Sequence, residues 1–598
     1  MKRMIEERIQ AYKILVSENK IKSARLGKKM HLLGTIRLIL FLGIIFGIYM
    51  LAGDFHLLIP LLIVMALFFA FLFMRHDRLS DRKESAESLI LLAENELMAF
   101  RHDFSVFNGA GEKRDPSHPF SYDLDIFGEN SFFQQVNRTV LPIGQQKLAD
   151  MIQSPLDKKD AILGRQQAIM ELADKEEFCL RFRTAGMKVT SSTVSDINFT
   201  TSTADKRLVQ NIFWKSAVWI TPILYLVFVV LWLTDIVPGG LFLYLYLFTF
   251  ALSLMPMKKV KATWGLFDKR SKRLDAFAYL FMISEQEKTE SPLLMSLQRQ
   301  LTQHGKASEA IRELSQQSRN LDVGFTLAML ILNPLFQWTT LYALKIERWM
   351  KNHGGDVETW FALLAEMDAL ISLGTFALNN PDYCYPEISD NHCFRGEGLG
   401  HPLIPREKCV RNDIDISRKP FFMIVTGANM AGKSTYLRTM GINHVMASVG
   451  MPVCAERLVF IPGKLLTNLR TSDSLVNNES YFFAELKRLK MIIDRLESGE
   501  EGLFIILDEI LKGTNSEDKQ RGSLALMKRL VGLGGSGIIA THDLALGNME
   551  NEFPQEIKNW HFDAVIDDEA LTFSYKLQEG IARNMNASFL MRKMGITE

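Results

Sequence analysis

The chain has 598 residues, with 69 Lys and Arg against 68 Asp and Glu for a net charge of +1, and 47% of its residues are hydrophobic. That length accommodates several domains, and the near-zero charge excludes a globally cationic nucleic-acid binder, so a polyanionic partner would need a local basic surface. The cysteines, Cys179, Cys384, Cys393, Cys409 and Cys454, are odd in number and lack the paired spacing of a zinc site, which argues against a disulfide framework and reads as reduced cytosolic thiols.

The N-terminal residues 1–32 are charged and read as a cytoplasmic helix without a cleaved leader. Charge is then absent from residues 38–53 (LILFLGIIFGIYMLAG) and 55–74 (FHLLIPLLIVMALFFAFLFM), with only Asp54 between them. A helix of about 20 apolar residues crosses a bilayer core, so the second run suffices. The first suffices if it extends back through Leu33 with Arg37 snorkelling to the interface. A second pair, 216–234 and 236–257, is joined by a turn at Pro238-Gly239-Gly240. Four such runs in two pairs are hard to bury in a soluble core, so two transmembrane helical hairpins are expected.

Lys28, Lys29, Arg75, Arg78, Lys206, Arg207, Lys258, Lys259 and Lys261 flank the hairpins, whereas the tips carry only Asp54 and Asp235. The positive-inside rule therefore has both hairpins dip in from the cytoplasm. The expected location is multi-pass in the inner (cytoplasmic) membrane, with the soluble domains in the cytoplasm. A fifth apolar run, 325–344, contains Asn333-Pro334, Gln337 and two threonines. Were it to span, everything after it would lie outside the cell, away from ATP. It is expected to lie against the membrane or to pack within the protein.

Further on, FFMIVTGANMAGKSTYLRTMG (421–441) has the form strand, G-x-x-x-x-G-K-S, helix. Gly427 to Thr435, namely Gly427, Ala428, Asn429, Met430, Ala431, Gly432, Lys433, Ser434 and Thr435, would wrap the phosphates with backbone amides at a helix N-terminus. Lys433 would reach the β- and γ-phosphates, and Ser434 would ligate Mg²⁺. LFIILDE (503–509) is an apolar strand ending in two carboxylates: Asp508 is placed to hold Mg²⁺ and Glu509 to act as general base. GIIATHD (537–543) ends a third strand in His542, placed to sense the γ-phosphate or position the water; a histidine there can also be purely structural. The catalytic set is thus Glu509, His542 and Lys433, the cofactors are ATP and Mg²⁺, and the activity is ATP hydrolysis on a parallel sheet.

The wording of these motifs carries a family resemblance. TGANMAGKSTYLRT resembles the P-loop of the MutS family of DNA mismatch-repair ATPases, in which Asn-Met at the positions of Asn429 and Met430 is distinctive. DSLVNNESYFFAEL (473–486), LDEILKGTNSEDKQRG (507–522) and ATHD (540–543) are similar, in order, to its signature loop, Walker B segment and switch. The resemblance implies a homodimer through the ATPase domains, with Ser480 contacting the partner's γ-phosphate; Ser480 is equally suited to cap a helix. It also implies Thr514 and Asn515 in the loop after the Walker B strand. Adenine would lie between the region of Cys409-Val410 and Tyr575, although Cys409 departs from the family's aromatic.

Upstream, 122–156, GRQQAIMEL (164–172), LLAEMDALISLGTFAL (363–378) and GLGHPLI (398–404) are similar to the family's core segments, so the resemblance covers about residues 122–596. The expected architecture is an α/β P-loop ATPase domain, a parallel sheet flanked by helices, following an all-α core and lever domain with two transmembrane hairpins. Its parts are 1–32, N-terminal helix; 33–75, hairpin 1; 76–121, linker helix; 122–214, core domain; 215–257, hairpin 2; 258–395, lever helices returning to the core; and 396–598, ATPase domain. Two Phe-x-Glu triplets, at Phe127 and Phe483, fall in the core entry and the signature helix, so neither serves as a mismatch wedge.

Two functions compete. One is a membrane-anchored, dimeric ATPase that binds mismatched or structured DNA. The other is an ATP-driven membrane switch acting on lipid or a membrane protein without DNA. A transporter of the ATP-binding-cassette type fits less well, since the chain carries no LSGGQ-like signature. The basic stretch 258–273 suits DNA or anionic lipid alike.

Overall fold

The computed structural model describes residues 2–50, 55–189, 211–267, 271–391, 393–428, 430–470, 481–511, 515–567 and 570–582. They form two compact units, one of residues 1–138, 148–174 and 371–598, the other of residues 139–147 and 175–370.

The first unit begins with two long helices, Lys2–Met50 and Phe55–Ala99, packed along each other. Their two ends differ in environment. Toward the C-terminal end of the first helix and in the N-terminal part of the second, Ile39, Phe46, Tyr49, Leu67 and Phe73 are exposed. At the opposite ends the contacts are polar: Ser23 Oγ donates to the half-exposed Glu87 Oε1 at 3.2 Å, and Tyr12, 2% exposed, donates from its hydroxyl to Asn379 Oδ1 at 3.0 Å in a buried contact. Each helix therefore joins a half with exposed apolar side chains to a half that contacts the rest of the unit.

The remainder of this unit holds two sheets. Its strands are β1 (Glu387–Ile388), β2 (Phe394–Leu399), β3 (Asn412–Ile416), β4 (Phe421–Gly427), β5 (Arg457–Phe460), β6 (Leu465–Asn468), β7 (Phe504–Asp508), β8 (Ser536–Ala540), β9 (Ile557–Asp567) and β10 (Ala570–Glu579). The larger sheet has the order β10-β9-β4-β8-β7-β6, parallel throughout except for β10 against β9. β4 and β8 are buried at every position. Strands covered on both faces lose the polar alternation, which is why they read as continuous apolar runs. One face is packed by helices Tyr481–Glu497 and Ser516–Gly532, whose Leu489, Ile492, Met527 and Leu530 share a core with Phe422, Ile424, Ile505 and Ile539.

A smaller sheet, β1-β5-β2-β3, is antiparallel except for β1 against β5. Sequence patterning does not announce it, because its strands are short and half-exposed.

The second unit is helical. Helices Ile212–Leu233 and Leu241–Leu254 carry exposed Trp219, Leu226, Leu233, Tyr244 and Phe248. The second of them is followed, after a 55° bend, by helix Met257–Phe267. The run 325–344 is not one helix: Met329–Phe336 ends at Gln337, which has φ 50°, and a new helix, Trp338–Asn379, starts there. Met329–Phe336 packs on the hairpin, with the Tyr246 hydroxyl donating to Leu330 O at 2.9 Å and Gln337 Nε2 donating to Thr249 O at 3.0 Å.

By length and composition the described residues hold four helices able to cross a membrane, or five if the bent pair counts as one span. Trp338–Asn379 is among them, yet its most apolar window is 83% buried inside the protein, against none for the first helix. Its apolarity is therefore spent on protein packing.

Candidate active site

The site forms where β4, β7 and β8 end, at the carboxyl edge of the larger sheet. Open parallel sheets bind ligands at this edge, because loops there diverge and helix N-termini point inward. β4 leads into the loop 427–432, which turns into helix Lys433–Val449. Gly427 and Gly432 have φ of 144° and 108°, a region that side chains disfavour. A Cβ on Gly427 would also stand 2.7 Å from Phe562 O. The loop's tight course thus requires both glycines.

Lys433 is 6% exposed and donates from Nζ to Gly427 O at 2.7 Å and to Ala428 O at 2.9 Å. Burial lowers its pKa to about 8, against the opposing pull of the Asp508 and Glu509 charges. Ser434 Oγ donates to Asp508 Oδ2 at 2.7 Å, joining the first helical turn to the end of β7. Ala431 is buried beneath the loop, and Met430, φ 66°, is 79% exposed.

Glu509 follows β7 with φ 51°, and its amide donates to Ala540 O on β8 at 2.9 Å. Its Oε1 lies 3.0 Å from His542 Nε2, and the same Nε2 lies 3.3 Å from Lys433 Nζ. One ring nitrogen serves both neighbours. Protonated, it donates to Glu509; unprotonated, it accepts from Lys433. The position of one proton therefore decides whether the histidine is tied to the carboxylate or to the ammonium.

These groups line a cleft of about 530 Å³, together with Leu399, Ile404, Lys408, Val410, Thr435, Phe562 and Tyr575. Tyr575, φ 51°, sits in a bulge of β10, and its Cδ1 lies 3.1 Å from where a Cβ of Gly432 would be. Asn412 holds that bulge, donating from Nδ2 to Tyr575 O at 3.0 Å and accepting from Leu577 N at 2.9 Å. Val410 and Lys408 line the cleft on either side of Cys409 in sequence. The apolar end is thus bounded by Val410, Leu399 and Ile404 from the small-sheet side and by Tyr575.

Asn429, Ser480 and Thr514 lie outside the described residues. Asn515 caps helix Ser516–Gly532, accepting from Asp518 N at 2.8 Å. Sequence reasoning assigned no role to Glu485, which is 1% exposed and accepts the Leu511 amide on Oε1 at 2.6 Å, bracing the turn after Glu509. Nor did it find Asn412, Lys408, Leu399 or Ile404. Glu485 lies within the stretch 473–486 and Leu399 and Ile404 within 398–404, yet neither motif marks these roles, and no motif marks Asn412 or Lys408.

Residues 423–592 match the family model described as MutS domain V. Over 230 residues the chain is 31% identical to MutS protein homolog 4 of Homo sapiens, covering 37% of this chain and 24% of that protein. It is 30% identical over 222 residues to the DNA mismatch repair protein MutS of Thermotoga sp. (strain RQ2), covering 37% and 27%, and 31% identical over 230 residues to the DNA mismatch repair protein msh3 of Aspergillus oryzae, covering 37% and 20%. The chain thus spans about a quarter of the length of the curated relatives it matches.

Proposed function

We propose that the chain is a membrane-anchored ATPase of the MutS family that hydrolyses Mg·ATP in this cleft, works as a homodimer through its ATPase domains, and acts on mismatched or structured DNA. The carrying observation is the convergence of Lys433, the Ser434–Asp508 pair and the Glu509–His542 pair at one sheet edge beside a glycine loop.

Ser434 Oγ and Asp508 Oδ2 are hard oxygen donors already in contact, a set suited to Mg²⁺ beside phosphate oxygens. Such a cation would neutralise charge developing on the transferred phosphoryl group. Lys433, released from the two loop carbonyls, pairs with the phosphate oxygens. Glu509 takes the proton of the attacking water, and His542 orients that carboxylate through Nε2. Val410 and Tyr575 supply flat and apolar surface for the base. Ser480 completes the partner's site in this reading.

The membrane part rests on two helix pairs whose apolar side chains face outward. DNA rests on the names of the matched relatives. The paired apolar helices equally favour a second reading, in which the ATPase drives a membrane switch acting on lipid or another membrane protein.

The test uses the full chain in detergent. The proposal expects pelleting with membranes through an alkaline carbonate wash, magnesium-dependent phosphate release, and salt-sensitive retention on mismatched or branched DNA that stimulates turnover. Phosphate contacts are strongest at low salt, so absence of retention there removes DNA and leaves the switch. Absence of ATP binding removes both.

A further inference from the structure

Two cysteines lie near one another beside the cleft. A Cβ placed on Gly400 would stand 2.8 Å from Cys409 Sγ and 3.1 Å from Cys454 Sγ. Both sulfurs lie about 3 Å from one point, so their separation cannot exceed about 6 Å, within reach of a roughly 2 Å disulfide after modest movement. Both thiols are free.

Their attachments differ. Cys454 is 4% exposed and is tied to the phosphate-loop helix through Asn443, which accepts Cys454 N at 2.8 Å and donates from Nδ2 to Gly400 O at 3.0 Å. Gly400 N in turn donates to Cys454 O at 2.7 Å. Cys409 is partly exposed and lies in the segment whose Lys408 and Val410 form the cleft wall. Burial pushes the Cys454 thiol up to about 11, so Cys409 is the thiol that meets an oxidant first.

We propose that Cys409 and Cys454 form a reversible disulfide that draws the Lys408–Val410 wall toward the phosphate-loop helix and weakens nucleotide binding. The regulatory half of this proposal rests on the nucleotide reading above; bond formation does not. With a hydroperoxide as oxidant, the Cys409 thiolate attacks the peroxide oxygen, giving a sulfenic acid and releasing the alkoxide, which takes up a proton as alcohol or water. The Cys454 thiol then displaces hydroxide from that sulfur, and the thiol proton leaves with it as water. Two thiols are oxidised and one peroxide bond is reduced. A small dithiol restores the pair by exchange.

The experiment treats the full chain in detergent with hydrogen peroxide after reduction, maps bridged peptides by differential alkylation and mass spectrometry, and titrates Mg·ATP before and after. The expected result is a Cys409–Cys454 peptide and a several-fold rise in the apparent Kd for Mg·ATP, reversed by dithiothreitol and absent in C454S, which binds as the reduced parent does. Separate alkylation of both thiols after peroxide, or bridging of either to Cys384 or Cys393 instead, overturns the site. A bridged protein with unchanged affinity overturns the regulation. Failure of the reduced parent to bind Mg·ATP overturns the nucleotide reading and the regulation with it, while the peptide map still decides whether the pair bridges.

Discussion

Glu509 Oε1 lies 3.0 Å from His542 Nε2, although the two residues leave different strands, β7 and β8. The contact exists because those strands are parallel neighbours, Asp508 pairing with Ala540, so their ends emerge side by side. The backbone at Glu509, φ 51°, turns the side chain into the cleft instead of along the strand, and strain of this kind is retained where function requires it.

Glu509→Gln removes the base and keeps the shape. ATP binding should persist while steady-state turnover falls about 10²–10⁴-fold, the usual contribution of a positioned general base. Parallel nucleotide titration and phosphate-release assays check this; parental turnover in the variant would remove Glu509 from the mechanism.

Lys433 should make ATP binding proton-linked. Its pKa of about 8 without ligand means that the amine is largely neutral at pH 9, whereas the ATP polyanion favours the ammonium. Binding at pH 9 therefore takes up a proton, and binding at pH 7, where the group is already charged, does not. Calorimetry in two buffers of different ionisation enthalpy should give divergent heats at pH 9 and matching heats at pH 7. Matching heats at both would refute the assignment.

Arg138 and Glu96 form an ion pair at 2.9 Å with side chains 5% and 0% exposed, and the Arg138 guanidinium lies 3.6 Å from the centroid of Phe107. Glu96 also accepts from Asn379 Nδ2 at 3.0 Å. Arg138→Met strands a buried carboxylate and should cost about 3–5 kcal/mol. Denaturant unfolding of the first unit reads this out, and a loss well under 1 kcal/mol would show the carboxylate to be neutral in the fold.

Asp123 accepts Thr467 Oγ1 at 2.6 Å, Leu469 N at 3.1 Å and Arg470 N at 3.1 Å, clamping the segment beyond β6. Asp123→Ala leaves the Leu469 and Arg470 amides without this acceptor, at about 1–3 kcal/mol for each that stays buried, whereas Thr467 Oγ1 keeps Pro119 O at 3.2 Å. Asp123→Asn keeps one acceptor oxygen and should lose less. Equal melting temperatures for the two variants would contradict the clamp.

The glycine loop, the two-carboxylate strand end and the four apolar helical runs were legible in the sequence because each is a local pattern. A fully buried parallel strand is a continuous apolar run, a tight strand-to-helix loop shows glycines at positive-φ positions, and a helix long and apolar enough for a bilayer shows length without charge. The tertiary structure alone decided what lies far apart in the chain. Glu485 braces the turn at Leu511 across helix and strand, Asn412 holds the Tyr575 bulge from 163 residues away, and Gly400 has Cys409 and Cys454 both beside it. The apolar stretch 325–344 shows the same division: its composition allowed membrane or core, and packing against the hairpin, with a break at Gln337, settled its shape. Periodicity and spacing record what a residue needs from its near neighbours. Which distant residue supplies the partner depends on strand order and helix packing, and no local pattern encodes that.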